Sequence, residues 1–253
     1  MFTKAMVKRP CQNMVQGITT AGLGTPDYEL ALTQHDLYIQ ALKDCGLDVI
    51  VLEADEGFPD STFIEDTCLV TPECAVITRP GADARRGEIS AVARAIAHIG
   101  LPVECIQEPG TLDAGDIMMV ENRYFVGLSE RTNTAGVDQL SMILETFGYQ
   151  VIPIPLTTML HLKTGLSYLE HNNLLVFGEF LARQEFRDFN LLAVDEEESY
   201  AANSVWINEK VIVPAGFPKT RKLIEKKGYE TLAVNVSEFR KLDGGLSCLS
   251  LRF

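Results

Sequence analysis

The 253-residue chain is 46% hydrophobic, enough for a full core, and carries a formal net charge of −13 at pH 7. That charge argues against nucleic acid as a partner, because phosphate binding needs a basic footprint, and it would suit a cationic substrate. No apolar run is long enough for a signal peptide or a membrane helix, and the six scattered cysteines and four histidines suggest neither a disulfide framework nor structural zinc.

The first predicted element is a strand over residues 2–7. A helix follows, with Thr25 as its N-cap and Pro26 at the first helical position, where the missing N–H costs nothing. Asp27 and Glu29 complement its positive end. Gly46 stops this helix and residues 48–52 form the next strand. Short strands at 68–71 and 74–78 then flank a turn at Pro72-Glu73. Ile89, Val92, Ala93, Ile96 and Ala97, spaced three and four apart, mark a helix over 88–98 that stops at Gly100, and 103–106 is a strand.

The same order recurs. Strands 117–120 and 124–127 turn about Glu121-Asn122-Arg123; a helix holds Val137, Leu140, Ile143, Leu144 and Phe147 and closes at Gly148; a strand covers 150–154. A third copy has an apolar stretch after His161, a turn at 170–173, a strand at 174–177, a helix from Glu179 and a strand at 191–194. A fourth pairs 205–207 with 211–213 about Asn208-Glu209, then has a helix from Pro218 and a strand at 231–234. The last strand, 247–251, completes a fifth copy only when joined to 2–7. Five strand-turn-strand-helix-strand units therefore predict an α/β propeller of five blades, its ring closed by pairing the two chain ends, and one soluble, cytoplasmic domain over 1–253. The acidic run 195–198 reads as a solvated loop without a binding role.

Equivalent positions in such a ring converge at one end of its axis. The polar residues just before the first strand of each copy are Glu65-Asp66, Asp113 with Gly115-Asp116, His161, Asn203 and Cys248. Asp66, Asp113 and His161 stand 47 and 48 residues apart, and Cys248 lies 87 further on, about two repeats. A guanidinium is cationic and its carbon is a poor electrophile. Attacking it takes paired carboxylates to hold it, a thiolate as nucleophile and an acid/base, and this set supplies all three. His35 and His98 read as surface or capping groups, His171 as a turn residue without a role, and Cys68 and Cys74 as packing.

The motifs Phe58-Pro59-Asp60, Phe63-Ile64-Glu65-Asp66, Arg79-Pro80-Gly81-Ala82, Arg85-Arg86-Gly87-Glu88, Asp113-Ala114-Gly115-Asp116, His161-Leu162-Lys163-Thr164-Gly165 and Gly245-Leu246-Ser247-Cys248-Leu249-Ser250 resemble the dimethylarginine dimethylaminohydrolase family over essentially the whole chain. The resemblance implies the five-bladed pentein (amidinotransferase-like) fold. It also implies hydrolysis of Nω-methylated arginines to citrulline and an amine through a thiouronium on Cys248. His161 would be the proton donor, with Asp66 and Asp113 gripping the guanidinium in a catalytic set of Cys248, His161 and Asp113. Asp60 would meet the substrate ammonium, Arg85 and Arg131 its carboxylate. Glu65 would join the substrate-binding set, with Ile18 in a mobile lid at 17–20 and Leu242 opposite it. No cofactor or metal is implied. The expected partner is a small molecule, a methylated arginine, with no nucleic acid or membrane. Oligomeric state is left open, a homodimer included. Two alternatives stand beside this reading: deimination of free arginine, and a non-catalytic ring similar to ribosome anti-association factors.

Overall fold

The computed structural model describes residues 1–253. In chain order the elements are β1 (Lys4–Lys8), α1 (Tyr28–Asp44), β2 (Asp48–Leu52), β3 (Cys68–Val70), β4 (Ala75–Ile77), α2 (Ile89–Ile96), β5 (Val103–Cys105), β6 (Ile117–Val120), β7 (Arg123–Leu128), α3 (Thr134–Glu145) and β8 (Gln150–Pro155). They continue with β9 (Leu166–Tyr168), β10 (Asn173–Val176), β11 (Asn190–Ala193), β12 (Val205–Ile207), β13 (Lys210–Pro214), α4 (Pro218–Glu225), β14 (Glu230–Val234), α5 (Ser237–Arg240) and β15 (Leu251–Arg252). They build five three-stranded sheets, β3-β4-β5, β6-β7-β8, β9-β10-β11, β12-β13-β14 and β15-β1-β2. Each pairs its first strand antiparallel to the middle one and the middle one parallel to the third, the parallel step needing a crossover. The ring closes as predicted, with Ala5 opposite Arg252 and Met6 opposite Leu251.

Buried apolar residues lie in the seams between sheets and their helices. Met6 and Leu251 of one blade pack with Ile64, Ile77, Val92 and Ile96 of the next, so closing the ring buries the same residues that make each blade amphipathic. No helix is long and apolar enough to cross a membrane.

Several local expectations are corrected. Asp27, not Thr25, caps α1: its carboxylate accepts from Leu30 N at 3.0 Å, so Pro26 lies outside the helix. The third blade has no α-helix after Glu179. Two short 3-10 segments, Gly178–Ala182 and Gln184–Phe186, replace it, because Phe180, Phe186 and Phe189 all plug one apolar seam and no single helical face could present them. Ser247–Leu249 is a single 3-10 turn, and the strand shrinks to Leu251–Arg252. Glu198 is not solvated: it is 7% exposed and accepts from the backbone N–H groups of Lys219 and Thr220, capping α4. His35 is wholly buried beside Phe239, not at the surface.

Candidate active site

Each blade presents its polar residues from a short 3-10 segment just before its first strand: Ile64–Thr67, Ala114–Asp116, Leu162–Thr164, Glu196–Ala202 and Ser247–Leu249. A single turn before a strand leaves side chains unclaimed by a ladder and aims them along the ring axis. This is why residues one repeat apart in sequence arrive together.

Asp66 and His161 face one another across Gly115. A Cβ at Gly115 would stand 2.6 Å from Asp66 Oδ1 and 3.4 Å from His161 Cγ, so only glycine fits, and its N–H donates to Asp66 Oδ1 at 2.9 Å. The other Asp66 oxygen accepts from Arg85 Nη1 at 2.6 Å. Asp113 receives the Gly81 N–H on Oδ1 at 2.8 Å, while its buried Oδ2 has no partner and lies 4.0 Å from His161 Nε2. An unsatisfied buried carboxylate oxygen is costly unless a ligand fills it. Asp66, Asp113 and His161 offer ligand atoms within 4.8 Å of one another. That set could hold a metal ion, and its two carboxylates equally fit a guanidinium.

Charge sets the proton inventory. Burial alone would lower His161, but Asp116 at 3.3 Å, then Asp66 and Asp113, raise its pKa to about 9, so it is an imidazolium at neutral pH. Burial and the neighbouring Asp66 push Asp113 up to about 6, against His161 and Arg85. Asp66 stays below the usual carboxylate range despite its burial, because Arg85 and His161 lie beside it. Cys248 is pushed up to about 12 by burial, Glu65 and Asp66, opposed by the Gly245 N–H and Lys163. The Gly245 N–H donates to its sulfur at 3.3 Å. Cys248 and His161 line one cavity of about 370 Å³, with Gly115, Thr164, Asn203 and Tyr200.

The remaining site residues fall into two groups. Asp60 accepts the Ile18 N–H on both oxygens, at 3.0 and 3.2 Å. Gly17 packs so tightly here that a Cβ would stand 2.7 Å from Asp60 Oδ1 and 3.3 Å from Leu242. Ile18, Leu242 and Asp60 thus meet where the 17–20 segment crosses the ring. Thr20 N donates to Asp243 Oδ2 at 2.5 Å, latching that segment down. Arg131, whose backbone contacts Gly81, has no carboxylate partner of its own, and its charge acts on Asp60. Arg85 and Glu65 are instead engaged within the protein. Arg85 pairs with Asp66 and Glu88 and donates to Phe63 O, leaving only an Nη1 hydrogen. Glu65 Oε1 holds Lys163 at 2.6 Å and Arg252 at 2.7 Å, a trio at the wall of a smaller axial cavity of about 160 Å³.

The sequence reading gave Asp116 no role. It is fully buried, accepts from Ser129 and Thr132 hydroxyls at 2.7 and 2.6 Å and from Leu162 N at 2.9 Å, and stands against His161 Nδ1. Its Asp-Ala-Gly-Asp motif was the available signal.

A ring of five such blades, gathering a cysteine, an imidazolium and buried carboxylates at one mouth, is the architecture of a pentein-type hydrolase. A family model described as "N,N dimethylarginine dimethylhydrolase, eukaryotic" matches residues 25–249. The N(G),N(G)-dimethylarginine dimethylaminohydrolase of Pseudomonas aeruginosa is 51% identical over 255 residues, covering 100% of both chains; that of Streptomyces coelicolor is 36% identical, covering 98% of this chain and 96% of its own. A solved structure of a mutant Pseudomonas aeruginosa enzyme complexed with citrulline aligns over 100% of both chains with TM-score 0.99 and 50% identity. The N-terminal domain of ArgZ, an arginine dihydrolase from cyanobacteria, shares the fold at TM-score 0.89 and 21% identity, covering 100% of this chain and 97% of its own. The chain belongs to the dimethylarginine dimethylaminohydrolase family.

Proposed function

We propose that residues 1–253 act as one catalytic domain that hydrolyses Nω-methylated L-arginines to L-citrulline and dimethylamine or methylamine. The observation that carries this reading is the pairing of Cys248 and protonated His161 on one cavity with a buried, partnerless Asp113 oxygen beside it. The Pseudomonas aeruginosa structure with citrulline supports it.

The substrate guanidinium lies between Asp66 and Asp113, its ammonium near Asp60 and its carboxylate near Arg131, under the segment carrying Ile18. Cys248 is a neutral thiol in the resting enzyme. The cationic guanidinium beside it favours the thiolate, so substrate arrival drives the thiol proton out to solvent, His161 being already protonated, and generates the nucleophile. The thiolate attacks the central guanidinium carbon, forming a C–S bond. His161 then gives its proton to the methylated nitrogen, and the C–N bond breaks to release a neutral amine into the 370 Å³ cavity. The remaining S-alkylthiouronium is attacked by water, whose proton His161 now takes back. Collapse expels the Cys248 sulfur, which takes up the remaining hydroxyl proton to restore the resting thiol, and leaves citrulline. Asp116 keeps the imidazole oriented through both half-reactions.

Asymmetric dimethylarginine should release citrulline and dimethylamine in equal amounts, with plain arginine turned over at least tenfold more slowly. A Cys248→Ser variant should lose several orders of magnitude in rate. Citrulline formation unchanged in that variant, or arginine turned over as fast as its methylated forms, would sink the reading.

A further inference from the structure

The fourth blade contributes Asn203 to the ring, and the chemistry above leaves it without a task. It is 6% exposed and follows the Glu196–Ala202 segment, in the short stretch before a blade's first strand that carries Asp66, Asp113, His161 or Cys248 in the other blades. We propose that Asn203 is a positioning residue: its amide ties the turn that bears His161 to the turn that bears Cys248, holding acid/base and nucleophile in register.

This rests on the roles given above to those two residues. The amide uses both of its ends. Nδ2 donates to the carbonyl of Lys163, in the turn that starts at His161, at 2.9 Å. It also donates to Ser247 Oγ at 3.0 Å, and Oδ1 accepts the Ser247 N–H at 2.9 Å, one residue before Cys248. The Ser247 N–H fixes which end is oxygen, and the nitrogen must then face the Lys163 carbonyl. A shorter hydroxyl side chain could not span the two turns.

The contact continues to the sulfur. The Asn203 amide presses on Gly245 so closely that a Cβ there would lie 2.5 to 2.8 Å from it, and Gly245 N is the donor to Cys248 Sγ. Asn203 therefore sets the peptide that feeds a hydrogen bond to the nucleophile. His161 sits in the third blade and Cys248 in the fifth; the fourth blade is the only neighbour they share, so a single side chain from it can register both. The head-group residues Asp60 and Arg131 lie in other parts of the ring, so substrate affinity is not what this amide controls.

The test is a series of Asn203→Ala, Asn203→Asp and Ser247→Ala, each measured for kcat, KM, thermal midpoint and the rate at which 2-chloroacetamidine alkylates Cys248 as a function of pH. Asn203→Asp keeps shape and acceptor but cannot donate to Lys163 O; Ser247→Ala removes one partner only. A displaced catalytic group costs on the order of 10²-fold, so Asn203→Ala and Asn203→Asp should lose roughly 10- to 100-fold in kcat per alkylatable site, with KM changed less than about threefold. Alkylation should slow by about tenfold and its pH dependence move to higher pH; Ser247→Ala should lose about threefold in both rates. A purely structural asparagine would lower the thermal midpoint and the alkylatable fraction but leave the rate per site and the pH profile alone, and that result overturns the proposal. If Asn203→Ala does not fold, Ser247→Ala decides: an alkylation rate equal to the parent's overturns it. Because alkylation needs no turnover, a parent enzyme that yields no citrulline would refute the functional reading and leave this test standing.

Discussion

Asp113 and His161 titrate on either side of neutrality for opposite reasons, one carboxyl raised to about 6 by burial and Asp66, one imidazole raised to about 9 by Asp116 and its neighbours. As pH falls through about 6, Asp113 gains a proton and loses the charge with which the proposed mechanism has it grip the guanidinium. As pH rises through about 9, His161 loses the proton that the proposed mechanism has it donate. The dependence of kcat/KM on pH should therefore be bell-shaped with limbs near these values, each belonging to the coupled cluster, and Asp116→Asn should draw the alkaline limb downward. A flat profile from pH 5 to 10 in steady-state citrulline assays would contradict the assignment. The positions of Asp66, Asp113, His161, Asn203 and Cys248 could be read from sequence because each occupies the same place in a repeat. The pairings of Asp116 and Arg85 could not. Asp116 meets His161 from another blade, and Arg85 spends its donors on Asp66 and Glu88, pairings that spacing along the chain does not encode.

At the scale of elements, α4 begins without a cap from its own sequence: Phe217 precedes Pro218 and offers no side-chain acceptor. Glu198 supplies one from the previous loop, accepting from Lys219 N at 3.0 Å and from Thr220 N and Oγ1 at 2.6 and 2.8 Å. Glu198→Ala leaves two N–H donors of that first turn unmet, which should cost about 1 to 2 kcal/mol and lower the thermal midpoint by roughly 2 to 8 °C. A midpoint unchanged by scanning calorimetry would mean water replaces the cap without loss. The same contact shows where sequence reasoning stops. Strands such as β2, β6 and β12 fall where their apolar runs place them, and α4 starts at its proline, because those signals are local. A run of acidic residues reads as solvated until the fold puts a bare helix end against one of them. The third blade fails likewise: its phenylalanines have no helical period, and only the seam they fill explains the 3-10 segments.

Over the whole molecule, ring closure presses α1 against α5, and this seam buries His35 with both ring nitrogens unpartnered. Burial first, then Arg9, lowers its pKa to about 4, with only Asp36 opposing. The folded ring thus refuses a proton that the unfolded chain accepts near 6.5, so stability falls as pH drops from about 6.5 towards 4. At 1.36 kcal/mol per pKa unit the full loss is roughly 3 kcal/mol, of which about 2 should develop between pH 7 and 5. Raised carboxyls work the other way. Asp113 and Glu88, raised to about 6 and about 7, bind protons better in the folded state and add stability on acidification. The net slope of the parent therefore mixes opposing contributions, and only a comparison isolates the histidine. His35→Leu keeps an apolar side chain in the seam and removes the titrating ring. Urea unfolding of both proteins at pH 7 and pH 5 should show the variant gaining about 2 kcal/mol on the parent over that interval, whatever their relative stability at pH 7. Parallel changes in the two proteins would mean that protonation of His35 is not what the closed ring opposes.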